Sequence, residues 1–223
     1  MASDPKYESL HFTTVSLQLR RALEKLMTSH VFDEFRLVGG TNLSLKFGHR
    51  KSDDIDLFTD REYGSLDFTP MEHYLADNFP YYETPENSEK VGFGRMYYIG
   101  ENSDNCIKLD LMYTDPFMYP AEKYGAIRMA QTKDIIAMKI QAISNGARKK
   151  DFWDLHMLLD FYSLEDMLDF HKKRHPYEHD RNDILKRMTD FKSIEDTPDP
   201  ICLLGKDWDE IKLDLIDAVA ELS

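Results

Sequence analysis

Hydrophobic residues recur at two different periods along this chain, and each change of period marks an element. Between residues 4 and 30 the apolar positions Leu10, Val15, Leu19, Ala22, Leu23, Leu26 and Met27 return every three to four residues, with charges between them, which predicts a packing helix. Phe35, Leu37 and Val38 then form a short apolar run ending on Gly39-Gly40, the pattern of a buried strand entering a tight turn. Leu43, Leu45 and Phe47 predict a helix after that turn, with Thr41 or Asn42 as its cap. Ile55, Leu57 and Phe58 predict a second strand, residues 70–79 a short helix, and 81–88 a turn on account of Pro80, Pro85 and Asn87. A hairpin is expected from strands at 91–99 and 106–113, joined by a turn at 100–103.

From Thr132 onward the period is helical. Ile135, Ile136, Met138, Ile140, Ala142 and Ile143 predict a helix capped by Thr132; a loop at 144–147 closes it, and a second helix opens at Arg148 and runs to about residue 161. Further helices are expected at 163–171, 178–191 and 207–222, with Ser163 and Asp166 approximating a capping box and Pro198 and Pro200 breaking the chain before the last. This order predicts a mixed α/β (α+β) core over residues 1–120 and a helical lobe over 121–223. His171, His175 and His179 recur every four residues, but Pro176 interrupts any helix there, so they read as surface histidines and not as metal ligands.

Composition sets limits on this picture. With 223 residues, 42% of them hydrophobic, the chain can bury a substantial core and is not a disordered protein. No apolar run approaches the length of a membrane span and the N-terminus lacks a basic-then-apolar signal, so a cytoplasmic protein without a membrane partner is expected. Cys106 and Cys202 are far apart in sequence, which suits free buried thiols better than a disulfide. The net charge of −13 is uneven, because residues 151–223 carry 19 acidic and nine basic side chains. Any RNA substrate then needs a local basic patch; the acidic third suits a basic protein partner, or simply solubility.

The candidate chemistry lies in residues 35–58. Glycines without Cβ atoms let the backbone approach a ligand, and the N-terminus of the helix that follows offers free N–H groups and a positive dipole end, which is anion-binding geometry. Asp54 and Asp56 alternate about Ile55, so both project from one strand face, and two adjacent carboxylates repel unless a cation sits between them. Oxygen ligands at this density suit Mg²⁺ or Mn²⁺. Asp53, Asp54 and Asp56 alone also fit a solvated charge cluster. A calcium loop fails on detail, since Thr59 stands where the loop needs glycine and Ser65 where it needs glutamate.

The ordered run Gly39-Gly40-Thr41, Leu43, Leu45, Gly48-His49-Arg50, Ser52 and Asp54-Ile55-Asp56-Leu57-Phe58 resembles the signature of the polymerase-β-like nucleotidyltransferase fold, and more narrowly the first motif of the AbiEii/AbiGii abortive-infection toxin nucleotidyltransferases. The resemblance implies a mixed sheet with flanking helices, a helical C-terminal lobe and an active site in the cleft between them. It implies a nucleoside triphosphate substrate, with Gly39, Gly40, Thr41, Arg50, Ser52 and Lys139 binding nucleotide and Asp54, Asp56 and Asp110 holding one or two Mg²⁺ or Mn²⁺ ions. Asp110 enters as the third carboxylate because it alternates with Leu109 and Leu111 on a later strand. Lys139 and Asp151 match later motifs: Lys139 to hold triphosphate, and Asp151 to orient Lys139 or a substrate hydroxyl, across two helices that a short loop folds together. Asp154 reads as a helix-start ion pair with Arg148 and Lys150.

Family resemblance further implies an RNA acceptor (for some members a tRNA end) or a protein acceptor, and a cognate antitoxin. Two rivals stand beside this reading. A non-catalytic interaction protein on the same scaffold predicts a degraded site. A metal-dependent phosphodiesterase would add histidine ligands, and only His49 lies near the motif.

Overall fold

The computed structural model describes residues 10–85 and 93–222. Its strands are β1 (Arg36–Leu37), β2 (Ile55–Thr59), β3 (Tyr81–Glu83), β4 (Gly94–Asn102), β5 (Asn105–Tyr113), β6 (Glu122–Tyr124) and β7 (Ile127–Met129). They form one mixed sheet in the order β3-β4-β5-β2-β1-β7-β6, in which β2 pairs parallel with β5 and antiparallel with β1, and β1 pairs parallel with β7. The helices are α1 (Leu17–Thr28), α2 (Gly39–Phe47), α3 (Thr69–Asn78), α4 (Thr132–Gly146), α5 (Lys149–Leu158), α6 (Leu164–Arg174), α7 (Arg181–Met188) and α8 (Trp208–Ala220). None of these is long and apolar enough to cross a membrane. The mixed α/β fold read from the sequence is the fold observed.

Alternation decides which sheet face carries what. In β2, Ile55, Leu57 and Thr59 are buried, and in β5 so are Ile107, Leu109, Leu111 and Tyr113, which leaves Asp56, Lys108 and Asp110 on the opposite face. The apolar face packs against α1, whose buried Leu19, Ala22, Leu23, Leu26 and Met27 follow a helical stripe, and against Met71 and Leu75 of α3. Ser16 starts α1 by accepting the Leu19 N–H, so the helix begins later than its apolar periodicity suggests; residues 1–9 lie outside the described chain. A second core joins α4 to α8 around Ile136, Ile140, Phe152, Trp153, Leu155 and Trp208. Helix α2 belongs to both, with Leu45 in the sheet core and Leu43 in the helical one.

Several expectations are corrected. Residues 81–83, expected in a turn, pair with β4, because adjacent tyrosines suit a pleated edge and the prolines flank the strand without interrupting it. Residues 86–88 of that turn and 91–92 of the expected strand lie outside the described residues. The hairpin reverses at Ser103 and Asp104, not at 100–103, since the Asn102 side chain accepts the Asp104 and Asn105 N–H groups. Gly100 stays in the strand, where a Cβ would stand 2.3 Å from the Asn105 carbonyl oxygen. Helix α2 begins at Gly39, which places Thr41 and Asn42 inside its first turn and not at its cap; Gln131, not Thr132, precedes α4.

The segment expected to open a helical lobe contributes β6 and β7, three-residue strands too short to show a period. Two of the three histidines are not at the surface, while His179 is half-buried. Helix α6 runs to Arg174 before Pro176 can end it, and His171 and His175 are buried. Cys106 and Cys202 are free and half-buried.

Candidate active site

The parallel register of β2 and β5 sets Asp56 directly beside Asp110 on the polar face, and Asp54 stands just before β2. The sequence places Asp54 and Asp56 on one face and names Asp110 as the third carboxylate; the ladder supplies the register that sets Asp110 beside Asp56. The three line a cavity of about 250 Å³ with Gly39, Gly40, Ser52, Lys139, Arg148, Lys150 and Asp151. Burial, then repulsion from Asp110 and Asp54, raises the Asp56 carboxyl from 3.8 to about 6, although Lys139 and Lys108 offset part of this. The Asp110 Oδ1 atom is buried without a hydrogen-bond partner among the described residues, while its Oδ2 pairs with Lys108. Asp54 pairs with Lys150 at 3.2 Å.

Crowded carboxylates, one with an orphaned oxygen, fit a hard divalent cation, which would relieve the repulsion and satisfy that oxygen. Asp54, Asp56 and Asp110 are the residues that would hold it. As the side chains stand, no group of three His, Cys, Asp or Glu residues among those described forms a ready coordination shell, and Asp54 and Asp110 are paired with Lys150 and Lys108.

The glycine pair is required on both sides. Gly39 has φ +69°, a left-handed conformation that favours glycine, and a Cβ there would stand 2.2 Å from Asp56 Oδ2. At Gly40 the added atom would stand 2.2 Å from Arg50 Nη2. Gly39 and Gly40, in the first turn of α2, therefore line the carboxylate cavity without side chains of their own.

Behind this wall lies a second cluster. Arg50, 2% exposed, donates from Nε to Asp154 Oδ1 at 2.6 Å and from Nη2 to Oδ2 at 2.8 Å. His49 Nε2 donates to Asp154 Oδ1 at 2.7 Å, and Lys139 Nζ bridges Asp154 at 2.6 Å and Asp151 at 2.7 Å. Burial alone would raise the Asp154 carboxyl, but Arg50 and Lys139 hold it well below the usual carboxylate range. Asp151 is likewise held down, burial being outweighed by Lys139 and by the Arg148 N–H that its Oδ2 accepts at 2.9 Å. Burial opposes the Lys139 charge, yet Asp154 and Asp151 raise its pKa, so it stays an ammonium.

Lys139 and Asp151, expected to meet across α4 and α5, do meet. Of the expected nucleotide-binding residues, Gly39, Gly40, Ser52 and Lys139 line the cavity, while Thr41 and Arg50 do not. The Thr41 hydroxyl is engaged with Ser52 Oγ at 2.8 Å and with the Asp54 carbonyl oxygen, which braces the loop carrying Asp54. Arg50 braces Gly40 from behind. Asp154 is not a helix-start pair with Arg148 and Lys150 but the hub of the buried cluster.

Sequence reasoning did not place Arg148 and Lys150 in the cavity. One signal was present: Arg148, Lys149 and Lys150 crowd a helix N-terminus, where the dipole disfavours cations, and such a violation of local preference marks a functional constraint.

An uncharacterized protein of Aquifex aeolicus is 31% identical over 149 residues, a match covering 63% of this chain and 65% of that one, just under two thirds of the relative's length. JHP933 from Helicobacter pylori superposes with a TM-score of 0.59 at 20% identity, over 93% of each chain. MenT4, a nucleotidyltransferase toxin from Mycobacterium tuberculosis H37Rv, superposes with a TM-score of 0.61 at 15% identity, over 92% of this chain and 82% of that one. At these identities the structural likeness is one of fold. The sequence model of the nucleotidyl transferase AbiEii toxin, of type IV toxin–antitoxin systems, matches residues 21–221 and so takes in every residue of the cavity. This chain belongs to the AbiEii nucleotidyltransferase toxin family.

Proposed function

We propose that the protein transfers a nucleotidyl group from a nucleoside triphosphate to a hydroxyl of an RNA acceptor, the acceptor oxygen bonding to the α-phosphorus as the α–β phosphoanhydride breaks and pyrophosphate leaves, and that it acts as the toxin of a toxin–antitoxin pair. The observation that carries this reading is the meeting, in one cavity, of three crowded carboxylates with the bare N-terminus of α2. Divalent ions, Mg²⁺ or Mn²⁺, would supply charge neutralisation at the transferred phosphate and lower the pKa of the attacking hydroxyl. The chain's own residues do the rest. Backbone N–H groups at Gly39 and Gly40 receive phosphate oxygens, and Ser52 Oγ borders the same space.

Lys139 has three N–H donors and gives two to Asp151 and Asp154, so one remains for phosphate. Arg148, with 70% of its side chain exposed, and Lys150 form a basic rim on an otherwise acidic protein. That rim supports a polyanionic acceptor, which the chain as a whole would repel.

Incubating the protein with each radiolabelled nucleoside triphosphate, Mg²⁺ and total RNA tests the proposal. Label should enter RNA with the unaltered chain and fall at least about 10²-fold with Asp56→Asn, because the interaction lost is one made to developing charge. Label entering no RNA under any of the four triphosphates would sink it.

A further inference from the structure

Helices α6 and α7 enclose a second cavity, of about 410 Å³, lined by His171, His175, His179, Glu165, Asp169 and Glu178 among others. It lies apart from the carboxylate cleft and shares no lining residue with it. Hydrogen bonding fixes the tautomer of two of its histidines. The Glu178 carboxylate only accepts, so the Gln141 amide turns its Nε2 to Glu178 and its Oε1 to His171. His171 Nε2, 2.8 Å from that oxygen, therefore carries the proton and Nδ1 keeps a lone pair. His175 Nδ1 stands 3.3 Å from Asp115 Oδ2 and donates to it, which leaves the lone pair on Nε2. That atom is buried with no hydrogen-bond partner among the described residues, in a residue only 8% exposed.

The rings stand one helical turn apart, with centroids 5.2 Å from each other. A neutral imidazole whose other nitrogen is tied to an oxygen acceptor is the arrangement that outer-shell partners impose on metal-binding histidines. We propose that His171 Nδ1 and His175 Nε2 chelate a divalent transition-metal ion of the zinc class, with water completing the shell. Imidazole nitrogen suits such ions, whereas the oxygen-only cleft suits Mg²⁺. The carboxylates of Glu165, Asp169 and Glu178 add negative potential around the ion. No group of three His, Cys, Asp or Glu side chains among the described residues is already arranged as a shell, which is why water completes it. The ion would clip the end of α6 through Gln141 to α4, and through Asp115 to the segment after β5.

The test uses the full, untagged chain carrying Asp56→Asn, so that the nucleotide cleft is disabled, in excess Mg²⁺. Calorimetry should show one equivalent of Zn²⁺ bound at micromolar concentration. Nitrogen-detected imidazole NMR should show His171 Nδ1 and His175 Nε2 unprotonated and shifting together as Zn²⁺ is added. His171→Ala and His175→Ala should each weaken binding at least tenfold. Should a variant fail to fold, the NMR titration of the otherwise intact chain decides alone. No Zn²⁺ bound below millimolar concentration, or Zn²⁺ bound while those two rings stay unshifted, overturns the proposal.

Discussion

Two clusters of charge lie back to back at the glycine turn, and they are built on opposite principles. Asp54, Asp56 and Asp110 face one another with too few cations; burial, then this crowding, makes Asp56 reluctant to ionise, and Asp110 keeps an oxygen unpaired among the described residues. Asp154, Asp151, Arg50, Lys139 and His49 are matched, every carboxylate held ionised by a neighbour within hydrogen-bond distance. The first cluster stores repulsion that a ligand can relieve; the second spends its charges on fixing positions. Their pH responses differ in sign. The Asp56 carboxyl titrates at about 6 in the folded chain against 3.8 ordinarily, so the folded state binds more protons between those values and stability falls as pH rises through that window. Asp154 is held well below 3.8, so its contribution is present above that value and is lost as pH falls below it.

The largest expected effect breaks the matched cluster. Asp154→Ala leaves Arg50 and Lys139 buried with too little counter-charge, and should destabilise the chain by about 3–5 kcal/mol in urea unfolding. A loss under about 1 kcal/mol would mean that the cluster is not held together as described.

Gly40→Ala comes next. It drives a Cβ to 2.2 Å from Arg50 Nη2, an atom that Asp154 keeps from moving away, and should cost about 1–3 kcal/mol. Combined with Arg50→Ala, Gly40→Ala should add little further loss, because the clashing guanidinium is gone; a double variant that loses the sum of the two single losses would place the clash elsewhere.

Asp56→Asn sharpens the contrast, because removing a charge from the crowded cluster should raise stability at pH 7 by about 1–2 kcal/mol while abolishing transfer. The same variant should lose the downward slope of stability between pH 4 and 6, and should no longer be stabilised by added Mg²⁺ in a melting experiment. Unchanged Mg²⁺ stabilisation would remove Asp56 from the cation site.

Lys150→Ala is the mildest. Its pair with Asp54 is partly exposed, so unfolding free energy should move by no more than about 1 kcal/mol, whereas the apparent affinity for RNA should weaken and lose salt dependence. A stability loss well above that bound would make Lys150 a structural residue.

The legible part of the site was the part carried by short-range pattern. Alternation about Ile55 places Asp54 and Asp56 together, and a short connection between two helical stripes, tighter than the expected loop at 144–147 since α4 continues to Gly146, brings Lys139 to Asp151, because both follow from local geometry. Arg50 was expected at the nucleotide because it follows the glycine motif, yet its partner Asp154 lies about a hundred residues away, and no local rule links them. The histidines failed for the opposite reason. Pro176 is a true helix breaker, but it acts one residue beyond the helix end, after His171 and His175 have already been buried against α4 and Asp115.

The sequence by itself determined the alternating strands, the amphipathic helices, the glycine turn and the carboxylate pair, since each depends on residues within a few positions of one another. Tertiary structure decided that β5 lies parallel to β2 in the register that adds Asp110, that β6 and β7 join the sheet, and that Asp154 gathers Arg50, His49 and Lys139 behind Gly40. Those choices rest on long-range pairing and burial, whose free energy comes from surfaces that meet only once the chain has folded.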